Sequence, residues 1–218
     1  MHSGIFNILS LICNLAIVVF MAKSLFGFYT VGGAGNMRVK KSSAFIYFTV
    51  QSNFFMALAS CAMLVFNVLA IIRGSAPVPY ALTAVKFSAT AAVTLTLCVV
   101  MFLFVPITGL KEMIEGDSFF MHLVSPVLAI LSFVLFEGGS RLTWPALGFA
   151  FIPVAAYGVL YYIMVVTVGE EKGGWKDFYG FNKGGKWYVS AIGVFLMAAV
   201  IALLLRFGHN YLACSFGG

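Results

Sequence analysis

The sequence predicts an all-α fold, a polytopic membrane bundle of six transmembrane helices forming a single domain over residues 1–218. Three observations predict it. Hydrophobic residues make up 62% of the chain and charged residues 9%, with a mean hydropathy of +1.03. A water-soluble domain of this length cannot bury that much apolar surface. The apolar residues gather into six stretches almost free of charge, each at or near the ~20 residues a helix needs to cross ~30 Å of hydrocarbon. The alternating pattern of a membrane barrel is absent.

Taken in order, the first stretch runs from Ile5 to Phe26. Only His2 precedes it, with no basic lead, and it is too long for the core of an ordinary signal peptide, so a retained helix is expected. The connection Gly27 to Ser43 carries Gly32, Gly33 and Gly35, then Arg38, Lys40 and Lys41. That composition predicts a flexible segment tied to anionic headgroups. The second helix is expected over Ala44 to Ile72, followed by an extended turn at Pro77 and Pro79. The third covers Leu82 to Pro106, and Glu112, Glu115 and Asp117 follow it. The fourth covers Phe119 to Phe136 and leads into a tight turn, Glu137 to Arg141. The fifth covers Ala146 to Val168. A long polar connection then mixes Trp175, Tyr179 and Trp187 with lysines, a composition suited to the headgroup layer. The sixth covers Trp187 to Phe207.

The net charge of +6 therefore reports orientation rather than affinity for nucleic acid. Lys23, Arg38, Lys40, Lys41, Lys111, Lys172, Lys176, Lys183 and Lys186 fall on one side, and Arg73, Lys86, Arg141 and Arg206 on the side of the termini. Nine against four puts the first side in the cytoplasm and the termini outside. Cys13, Cys61, Cys98 and Cys214 have no paired spacing and no nearby histidines, so they read as small core residues, with no metal and no disulfide framework. The acidic residues fall in connections, which weakens proton coupling through a membrane carboxylate. No HExxH, GxSxG, phosphate-binding glycine loop or CxxC occurs, and no cofactor is implied. No internal repeat of the kind that builds many transporters is evident. Nothing in the chain speaks to oligomeric state.

Polar residues inside the helices carry the functional reading, because each needs a partner where there is no water. Thr49, Gln51, Ser52 and Asn53 crowd the start of the second helix, with Thr49, Ser52 and Asn53 on one face. They serve either as interhelical glue or as a site. His122 opens the fourth helix. Pro126 follows it at i+4 and removes the N–H that the His122 carbonyl would accept. Thr49 is expected about 7 Å into its helix and His122 about 5 Å into its own, on the same side, at a rise of about 1.5 Å per residue. A histidine beside a hydroxyl is the minimum for nucleophilic acyl transfer, with Gln51, Ser52 or Asn53 as donors to an oxyanion. On the third helix Lys86, Thr90 and Thr94 form a row, in which Lys86 is expected to snorkel to the interface. Such a row also suits a transport path. Tyr161 on the fifth helix is placed either to orient His122 or bind a headgroup, or in the interfacial aromatic belt. His209 is expected to be solvated in the tail.

At Phe48-Thr49-Val50-Gln51-Ser52-Asn53 and Met121-His122-Leu123-Val124-Ser125-Pro126 the chain resembles the androgen-induced protein family and its bacterial six-helix relatives. The animal members are threonine hydrolases that cleave fatty acid esters of hydroxy fatty acids. The resemblance implies Thr49 as nucleophile and His122 as base. It also implies a membrane lipid or fatty acid ester as substrate, and a multi-pass protein of a bacterial cytoplasmic membrane. Val93-Thr94 is similar to a polar spot in the bacterial relatives, which adds Thr94 to the expected substrate contacts Gln51, Ser52, Asn53 and Tyr161. Gln51 and Asn53 depart from the animal pattern, which bears on the substrate more than on the reaction. The other class open to this sequence is a small-molecule or proton-linked transporter or binding protein, using the same polar cluster without chemistry.

Overall fold

The computed structural model describes residues 2–30 and 41–213. The glycines and the basic residues Arg38 and Lys40 expected to form the first connection, and Cys214, lie outside the described residues. Six helices are long and apolar enough to cross a membrane: α1 (Gly4–Tyr29), α2 (Phe48–Arg73), α3 (Tyr80–Thr108), α4 (Asp117–Phe136), α5 (Leu147–Val168) and α6 (Trp187–Leu212). No strand occurs among the described residues. The chain is thus an all-α, six-helix protein of the multi-pass membrane type.

Helix α3 is the axis of the bundle. It packs against α2, α4, α5 and α6, and from Thr83 to Thr96 every residue except Val85 is buried. This stretch is rich in Ala, Ser and Thr, small enough for neighbouring helices to approach closely. Phe87 and Leu95 from its other positions enter the main core with Phe133, Leu142, Val154, Ile201 and Leu205. The outward faces are apolar instead of polar: Ile5, Ile8 and Ile12 on α1 and Leu196, Val200 and Leu204 on α6 are all exposed. Hydrocarbon, not water, is the solvent that suits those faces.

That solvent offers no hydrogen bonds, so a proline inside a helix leaves a carbonyl that something else must satisfy. Pro153 has no N–H for the Phe149 carbonyl. The Ser88 hydroxyl donates to it instead, at 2.7 Å, and this bond joins α5 to α3.

One expectation about charge is overturned. Lys86 does not snorkel; it is fully buried. Glu137 lies in the connection after α4, as expected, and is buried there too. Helix α4 ends in a wide π-helical turn, Ser132–Phe136, and the Glu137 N–H donates back to the Ser132 carbonyl at 2.9 Å. The Glu137 carboxylate is thereby buried, 3.4 Å from the Lys86 ammonium. An isolated charge in this environment would cost several kcal/mol, so the pair persists only with good geometry and further hydrogen bonds. Those bonds are present. Lys86 donates to the Asn14 side-chain oxygen and to the Ser60 hydroxyl, the latter at 2.9 Å. Glu137 Oε1 accepts from the Ser132 hydroxyl at 2.6 Å and from Asn14 Nδ2 at 3.0 Å. Side chains from α1, α2, α3 and the end of α4 therefore meet around one ion pair.

His209 departs from expectation for a related reason. Helix α6 continues past Phe207, which carries His209 against α4. Its ring stacks on Phe133 with centroids 4.4 Å apart, and its Nδ1–H donates to the Phe133 carbonyl at 3.0 Å. It is buried, not solvated.

Replacing Lys86 by Met should leave Glu137 buried and uncompensated, lowering stability by about 3–5 kcal/mol. The double replacement Lys86→Met/Glu137→Gln should recover most of that loss. Thermal unfolding of the detergent-solubilised variants measures both, and a double variant no better than Lys86→Met would contradict a pairwise role.

Candidate functional site

Helix α4 opens with a wide turn, Phe120–Val124, in which the Ser125 N–H bonds the Phe120 carbonyl five residues back. In that register the N–H of position 126 belongs to Met121. Position 126 is proline, so the orphaned acceptor is the Met121 carbonyl, not the His122 carbonyl that regular α spacing predicts. Asn53 of α2 fills it: its Nδ2 donates to the Met121 carbonyl at 3.0 Å and to the Thr49 carbonyl at 2.8 Å. One amide therefore clamps the turn that holds His122 to the turn that holds Thr49.

His122 is buried. Its Nδ1 lies 2.6 Å from the carbonyl of Met113, the last residue of a short helix, Leu110–Met113, between α3 and α4. A carbonyl only accepts, so Nδ1 carries the hydrogen. In the neutral ring this leaves the lone pair on Nε2, the form a general base requires.

Thr49 lies nearer the helix start than expected. Residues Lys41–Ile46 wind as a 3₁₀ turn and Tyr47 is extended, so α2 begins at Phe48 and Thr49 sits in its first turn. Backbone N–H groups there have no partner within the helix. The Tyr179 hydroxyl, from the connection between α5 and α6, accepts the Phe48 N–H at 2.9 Å. The hydroxyls of Thr49 and Tyr157 border the same oxygen, and the Tyr157 hydroxyl donates to the Ile46 carbonyl at 2.8 Å. Burial pushes the Tyr179 hydroxyl up to about 12, so it is neutral at physiological pH.

Thr49 also forms part of the wall of a groove between α3, α5 and α6, with a cavity volume of about 130 Å³. Leu95, Val99, Val100, Val154, Val194 and Phe195 make its sides apolar. Tyr162 and Trp187 also line it, and both are well exposed on the outside of the bundle. A second cavity between α2 and α5 is lined by Gln51, Ser52, Phe55, Pro153 and Leu160. Phe48 and Tyr157 line both cavities, their rings 5.2 Å apart.

The residues singled out from sequence are distributed as follows. Thr49 and Tyr161 share the groove. Tyr161 does not hold His122; its hydroxyl donates to the Asp177 carboxylate at 2.6 Å. Ser52 lines the second cavity, and its hydroxyl lies 3.1 Å from the Thr49 carbonyl and 3.0 Å from the Thr96 hydroxyl. Gln51 turns back to donate to the Phe45 carbonyl at 2.6 Å. Asn53 is the clamp. Thr94 is buried and donates to the Thr90 carbonyl at 2.7 Å, and Thr90 to the Lys86 carbonyl at 2.8 Å. The row on α3 is therefore bonded along its own helix, and it lines neither cavity. His122 lines neither cavity, and no hydrogen bond joins it to Thr49 among the described residues.

Sequence reasoning placed the Tyr157 hydroxyl near the level of Thr49 and missed Asp177 and Tyr179 as parts of the site. The i,i+4 spacing of Tyr157 and Tyr161 puts both hydroxyls on one helix face, and an acid two residues before Tyr179 was a further signal. Among the described residues, no three His, Cys, Asp or Glu side chains come together in a way that would hold a metal ion. No family model matches the chain, and no curated protein or solved structure matches it.

Asn53→Leu should leave the Met121 carbonyl buried and unpaired, at a cost of about 1–3 kcal/mol. Thermal unfolding checks it, and an unchanged midpoint would refute the clamp.

Proposed function

We propose that this protein is an intramembrane hydrolase of lipid esters, with Thr49 as nucleophile and His122 as general base. The observation that carries the reading is the position of Thr49, a buried hydroxyl in the wall of a largely apolar groove. Such a groove suits the acyl chain of a lipid that partitions into the bilayer, and the hydroxyl stands where an ester group attached to that chain would rest. The tautomer of His122 favours the same reading, because Nε2 is the unprotonated nitrogen. The resemblance at Phe48–Asn53 and Met121–Pro126 points the same way.

In the proposed reaction Thr49 Oγ attacks the ester carbonyl carbon and its proton passes to His122 Nε2. The carbon–oxygen bond to the alcohol breaks, and the alcohol leaves with that proton. Water then attacks the threonyl ester, again giving a proton to Nε2, and frees the fatty acid with the hydroxyl restored. These transfers require Nε2 within reach of Thr49, directly or through one water. The resting arrangement lacks a direct hydrogen bond between them, so in this reading a water bridges the two side chains across the turns that Asn53 joins.

A second reading rests on that missing contact: a lipid-binding protein in which the groove takes acyl chains and Thr49 only contacts the polar end. The two differ in turnover. With a long-chain ester as substrate, Thr49→Ala should abolish hydrolysis and His122→Ala should lower kcat by about 10²–10⁴-fold, both without loss of the unfolding midpoint. Hydrolysis retained by folded Thr49→Ala protein would refute Thr49 as the nucleophile, whereas folded wild-type protein that hydrolyses no long-chain ester would leave only the binding reading.

A further inference from the structure

The segment between α5 and α6 covers one end of the groove, where it forms part of the lining. Asp177 organises it: Oδ1 accepts the Tyr161 hydroxyl at 2.6 Å and the Phe181 N–H at 2.9 Å, and Oδ2 accepts the Asn182 N–H at 2.9 Å. Tyr179 N–H donates to the Tyr161 hydroxyl at 3.3 Å. Tyr179, Phe181 and Asn182 then form part of the groove wall. The side-chain oxygen of Asn182 is buried without a hydrogen-bond partner. Gly180, between these residues, has φ +67°, a conformation that disfavours any side chain.

The cover meets the first turn of α2 through the Tyr179 hydroxyl, which contacts both Phe48 and Thr49. The Tyr179 hydroxyl takes up the Phe48 N–H at 2.9 Å and lies against Thr49, while the Tyr179 ring packs among Phe104, Tyr161 and Phe181. The ring holds the cover down by packing. The hydroxyl adds a bond that must be broken before another oxygen can approach the same N–H and the Thr49 side chain.

We propose that the Tyr179 hydroxyl is the latch of an autoinhibitory lid, holding the first turn of α2 until the carbonyl oxygen of a bound lipid ester displaces it. The proposal rests on the ester reading of the groove but not on Thr49 acting as a nucleophile. In the closed state ligand binding is weakened by the population that must open, and the latch competes with the ester group for one donor. An alkyl chain without a carbonyl gains nothing from the freed donor.

The test is equilibrium binding of methyl oleate and of octadecane to the full-length protein in lipid nanodiscs, in a Thr49→Ala background where turnover through that residue cannot occur. Adding Tyr179→Phe keeps the ring and removes only the latch. It should tighten methyl oleate binding by about fivefold, the factor of one net neutral hydrogen bond, and leave octadecane binding unchanged. Asp177→Asn, which weakens the cover at its other end, should tighten binding of both ligands. Methyl oleate binding that is unchanged or weaker in the Tyr179→Phe protein overturns the latch, as does an equal gain for both ligands. Loss of the hydrolytic reading appears separately, as wild-type turnover in the Thr49→Ala protein.

Discussion

Hydrocarbon provides no hydrogen-bond partners, and that constraint decides how this chain folds. Every polar group drawn into the bundle has to be met by another part of the same chain. Three meetings fix the helices to one another. Ser88 meets the carbonyl freed by Pro153, Asn53 meets the carbonyl freed by Pro126, and Glu137 with Asn14 and Ser60 meets the Lys86 ammonium. Apolar packing alone would leave helix rotation loosely specified, because lipid tails are as apolar as the core. The polar meetings specify which faces turn inward.

These contacts also divide the bundle by role. The Lys86 ammonium meets three acceptors, on Asn14, Ser60 and Glu137, and the ion pair lines neither cavity. It is a fastening among α1, α2, α3 and α4. Around Thr49 the matching is of another kind. The first turn of α2 has N–H groups that its own helix cannot use, and it borrows an acceptor from Tyr179. An acceptor borrowed from a connecting segment can be exchanged for one from a ligand, whereas a clamp such as Asn53 cannot be removed without loosening the helices. An exchangeable contact and a fixed one therefore sit on adjacent turns of the same helix.

The six spans were legible in the sequence because they depend on local composition, and Thr49 drew attention as one of several polar residues in an apolar setting. Partnerships across the fold were not. Lys86 reads as an end-of-helix residue that reaches for water, and Glu137 lies in a glycine-rich turn; nothing local announces that the end of α4 folds back to bring them together. The depth of Thr49 was overestimated because Ala44 to Ile46, apolar enough to extend α2, instead wind as a separate turn. The orphaned carbonyl at Pro126 shifted by one residue because the turn is π-helical, which spacing rules for regular helices do not foresee. His209 looked solvated because α6 was ended too early.

The central claim is that Thr49 is an activated nucleophile, and peptide mapping by mass spectrometry after treatment with a long-chain fluorophosphonate tests it most directly. The account predicts a phosphonyl adduct on the peptide carrying Thr49, formed far more slowly in folded His122→Ala protein. Folded wild-type protein that stays unmodified, or carries its adduct on another residue, would contradict it.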